Sequence, residues 1–302
     1  MNYITQEHVA QVLETMGHNI TTGCEHLKQQ KGDVYTTGIP SGFYDLDIIT
    51  SGFHKSELTI LAARPSMGKT SLALNIALNV SIRNNTKVLY VSYEMNYKKI
   101  IERIFCMEAE VDAMRLRSSY MRPNEWKRLS ECLENIHNVF EDNLNIISSC
   151  DLTFDYLSDE IKAFVSNNPD SLVIIDYFQL IPLRDKQDRF VELSHIASAF
   201  KRLAIETDAP IILVSQISRK CDERPDKKPT VADLSECDAL AQHCDNIIFL
   251  YREEYYDKGN SEIRNKAKLF IDKHKNGSVG YVDLLFQGST FRFKNPIKIN
   301  YE

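Results

Sequence analysis

The residues best suited to chemistry lie in Leu58-Thr-Ile-Leu-Ala-Ala-Arg-Pro-Ser-Met-Gly-Lys-Thr70, an apolar run, a compact turn and the start of a helical pattern. Backbone N–H groups of such a turn, with the positive end of the following helix, form a nest for phosphate oxygens. The expected nucleotide contacts are therefore Arg64, Pro65, Ser66, Met67, Gly68, Lys69, Thr70 and Ser71. Lys69 would reach the β and γ phosphates and Thr70 would give its hydroxyl to Mg²⁺. The pattern is GxxxxGK[ST] with Ala63 in place of its first glycine. Binding alone breaks no phosphoanhydride bond; hydrolysis also needs a metal-side carboxylate and a group that orients or deprotonates water. Leu172-Val-Ile-Ile-Asp176 ends four apolar residues in a carboxylate, at the strand end where open α/β sheets place ligands. Asp176 is accordingly the expected Mg²⁺-side acid. Val88-Leu-Tyr-Val-Ser-Tyr-Glu94 brings Glu94 to the same edge as a general base, and Ile211-Ile-Leu-Val-Ser-Gln216 brings the Gln216 amide within sensing range of a γ-phosphate. The plain alternatives are solvated acids at strand ends and a loop glutamine bonded to backbone.

Elements of alternating type must hold these groups. Short apolar runs at Leu58–Ala62, Val88–Ser92, Leu144–Ile147, Leu172–Ile175, Ile211–Val214 and Ile247–Leu250 alternate with helical patterns. The helical patterns fall near Thr70–Ile82, Lys98–Glu108, Asn124–Ile136, Tyr156–Val165, Phe190–Glu206 and Val231–Gln242. Such alternation is what a parallel α/β sheet produces. Thr230 and Asp233 read as a capping box at the start of the last helix. From about Lys266 the pattern turns to β-rich segments around Leu269–Asp272, Tyr281–Phe286 and Phe291–Phe293, broken at Asn276-Gly277 and Gly288, as in a hairpin added to the sheet edge. At the other end, Val9, Val12, Leu13, Met16, Ile20 and Leu27 recur at mostly helical spacing, predicting an amphipathic helix or two short ones that need a partner surface. Gly32–Ser41 then reads as a linker or turn.

Composition narrows the function classes. The 302 residues carry 36 Lys+Arg against 42 Asp+Glu, a formal charge of -6, so the whole molecule is no polycation and any nucleic-acid contact must be local. No apolar run is long enough to span a bilayer, and the polar start MNYITQEHVA lacks a signal-peptide core, so a cytoplasmic protein without membrane contact is expected. Seven scattered cysteines without a CxxC pair predict free thiols. Cys237, His243 and Cys244 lack the spacing of a zinc site, and Tyr120 and Trp126 suit a packed helical insert better than a base-stacking platform.

The ordered strings Gly38-Ile-Pro-Ser-Gly-Phe-Tyr-Asp-Leu-Asp47, Ala63 to Thr70, Ser92-Tyr-Glu-Met95, Ile174-Ile-Asp-Tyr-Phe-Gln-Leu180, Val214-Ser-Gln216, Arg224-Pro-Asp-Lys-Lys-Pro229 and Phe249-Leu-Tyr-Arg-Glu-Glu-Tyr-Tyr256 resemble one family. It is the C-terminal ATPase domain of DnaB-type replicative helicases, and the likeness runs from residue 38 to about 293. The resemblance implies a RecA-like P-loop core, a mostly parallel twisted sheet flanked by helices, over residues 38–302, preceded by a linker helix and connector over 1–37. It implies a homo-oligomeric ring, expected to be hexameric, with Mg-ATP between subunits and the linker helix docked on the adjacent subunit. The family's separate N-terminal domain, used for collar formation and primase contact, is expected to be absent.

In the family a neighbouring subunit supplies basic residues to the nucleotide. The matching stretch here is Asp272-Lys-His-Lys-Asn-Gly277: Lys273 fits the family's lysine, and Lys275 stands where an arginine is usual. A lysine neutralises charge but cannot clamp it with a planar fork. The resemblance likewise implies single-stranded DNA contact by two loops, one carrying Arg184, Lys186 and Arg189, the other Arg219, Lys220 and Arg224. The family's usual Asp-Leu-Arg-Glu-Ser-Gly turn reads Asp-Leu-Ser-Glu-Cys-Asp here, so Ser235 replaces a cation and Asp238 a glycine. The implied function is an ATP-driven helicase motor on single-stranded DNA, with a helicase loader or primase as further partner. The alternatives are a DNA-dependent ATPase or loader without unwinding, and a nucleotide-binding ring that inhibits a helicase.

Overall fold

The structure, a computed structural model, describes Glu14 and residues 36–183, 189–234 and 238–296, the side chains of Glu134 and Asp238 excepted. The six apolar runs become β1 (Leu58–Ala63), β2 (Val88–Ser92), β3 (Leu144–Ser148), β4 (Leu172–Asp176), β5 (Ile211–Gln216) and β6 (Asn246–Tyr251), all mutually parallel. Strands β7 (Lys266–His274), β8 (Gly280–Gln287) and β9 (Arg292–Lys294) extend the sheet with antiparallel pairs. The spatial order is β3-β2-β4-β5-β1-β6-β7-β8-β9, the mostly parallel α/β architecture expected.

Helices cover both faces, which is why the parallel strands read as unbroken apolar runs. A short α1 (Tyr44–Thr50) precedes β1 and α2 (Lys69–Leu78) follows it; on one face Leu61, Ala63, Tyr90 and Ile174 pack with Leu72, Ile76 and Leu78 of α2. Ile100 and Ile104 of α3 (Tyr97–Glu108) join that layer, with α4 (Ala113–Ser118) and α5 (Pro123–Asp142) beyond it. The opposite face sets Ile60, Ala62, Val91 and Ile175 against Leu157 and Ile161 of α6 (Phe154–Asn167) and Leu193 and Phe200 of α7 (Arg189–Thr207). The last hairpin curls back under α2: Asn75 Nδ2 donates to the Phe291 carbonyl at 3.0 Å, and Phe293 N–H donates to Asn75 Oδ1 at 3.2 Å.

One expectation needs correction. The single helix over Val231–Gln242 is instead a 3-10 turn at Val231–Leu234 and a short α8 (Asp238–His243). Asp233 Oδ2 does accept from Thr230 N–H at 2.7 Å, but Arg224 also claims this carboxylate, so it braces a loop instead of opening a long helix. The described end of the Gly32–Ser41 segment is held by hydrogen bonds to α1 and the residue after it. Gly38 N–H donates to the Ser51 carbonyl at 2.9 Å, and Ser41 N–H donates to buried Asp47 at 2.8 Å. The helix expected near Thr70–Ile82 is present as α2, continued by a π-helical turn over Asn79–Arg83. The amphipathic segment expected over residues 5–31 lies, apart from Glu14, outside the described residues.

Candidate active site

Four adjacent strands, in the order β2-β4-β5-β1, run parallel and end at one edge of the sheet. Their shared direction is what gathers Glu94, Asp176, Gln216 and the loop from Ala63 to Thr70, groups far apart in the chain. Beside them lies a cleft of about 780 Å³ lined by Pro65, Ser66, Gly68, Lys69, Thr70, Ser71, Glu94, Met95, Tyr177 and Gln216.

The loop has the conformation an anion nest requires. Ser66 is left-handed at φ 64°, and Gly68, the N-cap of α2, sits at φ 102° and ψ 24°. No side chain at the N-cap satisfies the first N–H groups of α2, which leaves them for a ligand. A Cβ on Gly68 would stand 3.3 Å from Cζ of Phe293 and 3.6 Å from Cζ of Phe286, so the glycine answers both to a positive φ and to a close approach of the final hairpin. Met67 is buried and anchors the loop from below, whereas Arg64 points away from the cleft. The Arg64 guanidinium donates to Asp222 at 2.9 Å and to the Ile217 carbonyl at 3.3 Å, and Tyr256 donates to the same Asp222 at 2.6 Å. A phosphate contact from Arg64 would thus come from its backbone.

Burial pulls the Lys69 ammonium below the ordinary lysine value, while Asp176 and Glu94 act in the opposite sense. An anionic ligand would act in the same sense as those two carboxylates. Asp176 is fully buried and burial raises its carboxyl above the usual range, although the nearby Thr70 hydroxyl and the Tyr90 phenol favour the ionised form. Its Oδ2 accepts from the Tyr90 hydroxyl at 2.8 Å, and its Oδ1 has no hydrogen-bond partner. An orphaned carboxylate oxygen at the phosphate loop, beside the Thr70 hydroxyl, is a donor set that fits Mg²⁺, a hard cation taking oxygen ligands. Glu94 stands exposed two residues beyond β2, free to meet a water. Gln216 is held at its backbone: its N–H donates to Gln179 Oε1 at 3.1 Å, and its carbonyl accepts from Gln179 Nε2 at 2.9 Å.

Two expected groups lie elsewhere. Lys273 pairs in register with Ile247, and Ile247 with Ile60, so it sits toward the sheet edge opposite the phosphate loop. Its Nζ donates to the Ala241 and Cys244 carbonyls, each at 2.7 Å. Lys275 Nζ donates to Asp245 Oδ1 at 2.9 Å, and Asp245 Oδ2 accepts from Lys201 at 2.6 Å. Neither lysine can meet the loop of its own chain.

Of the basic loop residues, Arg184 and Lys186 lie outside the described residues, as do Ser235 and Cys237. Arg189 opens α7 and donates to the Gln179 carbonyl at 3.1 Å. Arg219 and Lys220 are exposed, and with Arg64, Arg189 and Gln179 the Arg219 side chain lines a second cavity that shares Tyr177 and Gln216 with the cleft. Arg224 is committed inward, in a two-pronged pair with Asp233.

Sequence reasoning passed over Lys99, Arg103, Arg117, Phe286 and Phe291, which also line the cleft. Lys99 and Arg103 stand four apart on α3, a helical spacing that could have marked them as one cationic face. Among the described residues no group of three or more acidic, His or Cys side chains is spaced to hold a metal, Cys106, Cys132, Cys150, Cys221 and Cys244 are free thiols, and no helix is long and apolar enough to cross a membrane.

Residues 38–295 match the family described as the DnaB-like helicase C terminal domain. The chain is 37% identical over 275 residues to the replicative DNA helicase DnaB of Geobacillus stearothermophilus, covering 90% of this chain and 59% of that protein. It is 36% identical over 273 residues to the replicative DNA helicase DnaC of Bacillus subtilis (strain 168), with the same coverage of 90% and 59%. The chain therefore spans 59% of the length of these relatives. Among solved structures, the ATPase domain of G40P superposes with a TM-score of 0.81 at 34% identity, over 93% of this chain and 99% of that one. A DnaB-like replicative helicase, described with its interactions with primase, superposes with a TM-score of 0.82 at 33% identity, over 97% and 72% of the two chains. Sequence match, superposition and the phosphate loop at the edge of a parallel sheet agree: this chain belongs to the DnaB-like helicase C terminal domain family.

Proposed function

We propose that the chain is a Mg-ATP hydrolase that works as a helicase motor on single-stranded DNA within a homo-oligomeric ring of six. The observation that carries this reading is the convergence of the Ala63–Thr70 loop, Glu94, Asp176 and Gln216 at one edge of the parallel sheet, in a chain 37% identical to a protein named a replicative DNA helicase. The orphan N–H groups at the start of α2 and the Lys69 ammonium bind the phosphates of ATP. Thr70 and Asp176 hold Mg²⁺, which when bound neutralises charge on the β and γ phosphate oxygens. Glu94 accepts the proton of the attacking water, and the Gln216 amide reads the γ-phosphate. Lys273 and Lys275 of one copy reach the cleft of the next, which accounts for their distance from the loop of their own chain. The adjacent cavity lined by Arg189 and Arg219 supports passage of the strand beside Gln216. A helicase loader or primase is the further partner, by analogy with the relative described with primase.

Steady-state phosphate release titrated with a single-stranded oligonucleotide tests the reading, paired with unwinding of a forked duplex. Turnover that rises with oligonucleotide and separates the fork supports it. Turnover without unwinding would favour a DNA-dependent ATPase or loader, and no turnover would favour an inert ring.

A further inference from the structure

Position 90 lies in the middle of β2, on the sheet face that packs against α2, among Val88, Ile174 and Leu72. Phenylalanine would fill that apolar slot as well as tyrosine does. Tyr90 nonetheless places a phenol there with no exposed surface, and a buried hydroxyl without a partner costs about 1–3 kcal/mol. Register explains the partner it finds. Tyr90 pairs with Ile174 and Ser92 with Asp176, so Tyr90 and Asp176 are diagonal neighbours on one face, within reach of an aromatic side chain. The phenol donates to Asp176 Oδ2 at 2.8 Å, while Oδ1 of the same carboxylate remains without a partner. One oxygen is thus fixed by the protein and the other is left over. The Tyr90 bond holds one oxygen and so sets the plane of the carboxylate; a half-turn about Cβ–Cγ only exchanges two equivalent oxygens, and one of them always remains unbonded.

We propose that Tyr90 is a positioning residue for the metal-side carboxylate, holding Oδ2 of Asp176 so that Oδ1 is presented to Mg²⁺ with its orientation already set. The inference rests on the reading of Asp176 as the Mg²⁺-side acid. An outer partner of this kind, bonded to a ligating carboxylate, is worth about 10- to 100-fold in metal affinity.

The test is binding of a fluorescent ATP analogue to the full chain, titrated with Mg²⁺ and repeated in EDTA, for wild type, Tyr90→Phe and Asp176→Asn. Tyr90→Phe is expected to raise the Mg²⁺ concentration for half-maximal enhancement of binding about tenfold, with the affinity in EDTA unchanged. A purely structural role would lower both affinities together. An unchanged Mg²⁺ midpoint for Tyr90→Phe, with a displaced one for Asp176→Asn, overturns the role of Tyr90 alone. Unchanged midpoints for both variants overturn the reading of Asp176, and the inference with it. If Tyr90→Phe fails to fold, 3-fluorotyrosine at position 90 decides. Its ¹⁹F resonance should move when Mg²⁺ is added to the ATP-bound wild-type background and stay still in Asp176→Asn; a resonance indifferent to Mg²⁺ in both backgrounds overturns the proposal.

Discussion

Replacing Gly68 by alanine probes the phosphate nest without touching any charged group. At φ 102° the residue is well outside the region open to L side chains, and the new Cβ would meet Phe293 at 3.3 Å and Phe286 at 3.6 Å. Those rings pack on each other, with centroids 4.4 Å apart, and Phe293 is buried, so they have little room to withdraw. Keeping the nest in the variant therefore costs about 2 kcal/mol of backbone strain. The loop can escape the strain by relaxing, because Gly68 is only the cap of α2, and ATP must then restore the strained form on binding. A penalty of about 2 kcal/mol corresponds to about a 30-fold rise in Kd. Titration of a fluorescent ATP analogue measures this directly, with the melting temperature as a check on the fold. A Gly68→Ala protein whose Kd stays within about twofold of wild type would refute the claim that this backbone geometry makes the phosphate site.

Glu94→Gln keeps size and polarity but removes the proton acceptor, so ATP binding should persist while steady-state phosphate release falls by about two to four orders of magnitude; unchanged release would remove Glu94 from the chemistry. Asp245 predicts a pH-dependent stability. Burial would raise its carboxyl, but the bonds from Lys201, Leu58 N–H and Lys275 outweigh burial and hold it below the ordinary aspartate value of 3.8. Its stabilisation is then complete above that value and lost as pH falls through the lower folded one. Asp245→Asn should cost about 1–3 kcal/mol in urea unfolding at neutral pH, with the gap to wild type closing below about pH 4. A gap that persists at low pH would show that the ion pairs do not carry the effect.

The parallel strands were legible because each is buried on both faces and writes itself as an apolar run. Leu172–Asp176 and Ile211–Gln216 also announce which residues reach the edge, since a polar residue closing such a run lies at the end of its strand. What the sequence concealed depends on contacts between distant segments. Nothing local marks Tyr90 as the partner of Asp176, because the bond follows from the β2–β4 register. The helical period over 231–242 is real, yet the pair of Arg224 with Asp233 turns its first residues into a loop brace. The contribution of Phe286 and Phe291 to the cleft arises from the curl of the last hairpin under α2, which no periodicity records.

In the proposed ring, one copy's phosphate loop is completed by the next copy's Lys273 and Lys275. This sharing is tested most directly by mixing two proteins each expected to be inactive alone, Lys69→Ala and the double variant Lys273→Ala/Lys275→Ala, and measuring phosphate release. In a head-to-tail ring, random mixing at equal amounts pairs an intact loop with intact lysines at about one boundary in four, so about a quarter of wild-type turnover should return. Turnover no greater than the sum of the two separate proteins would contradict the shared site.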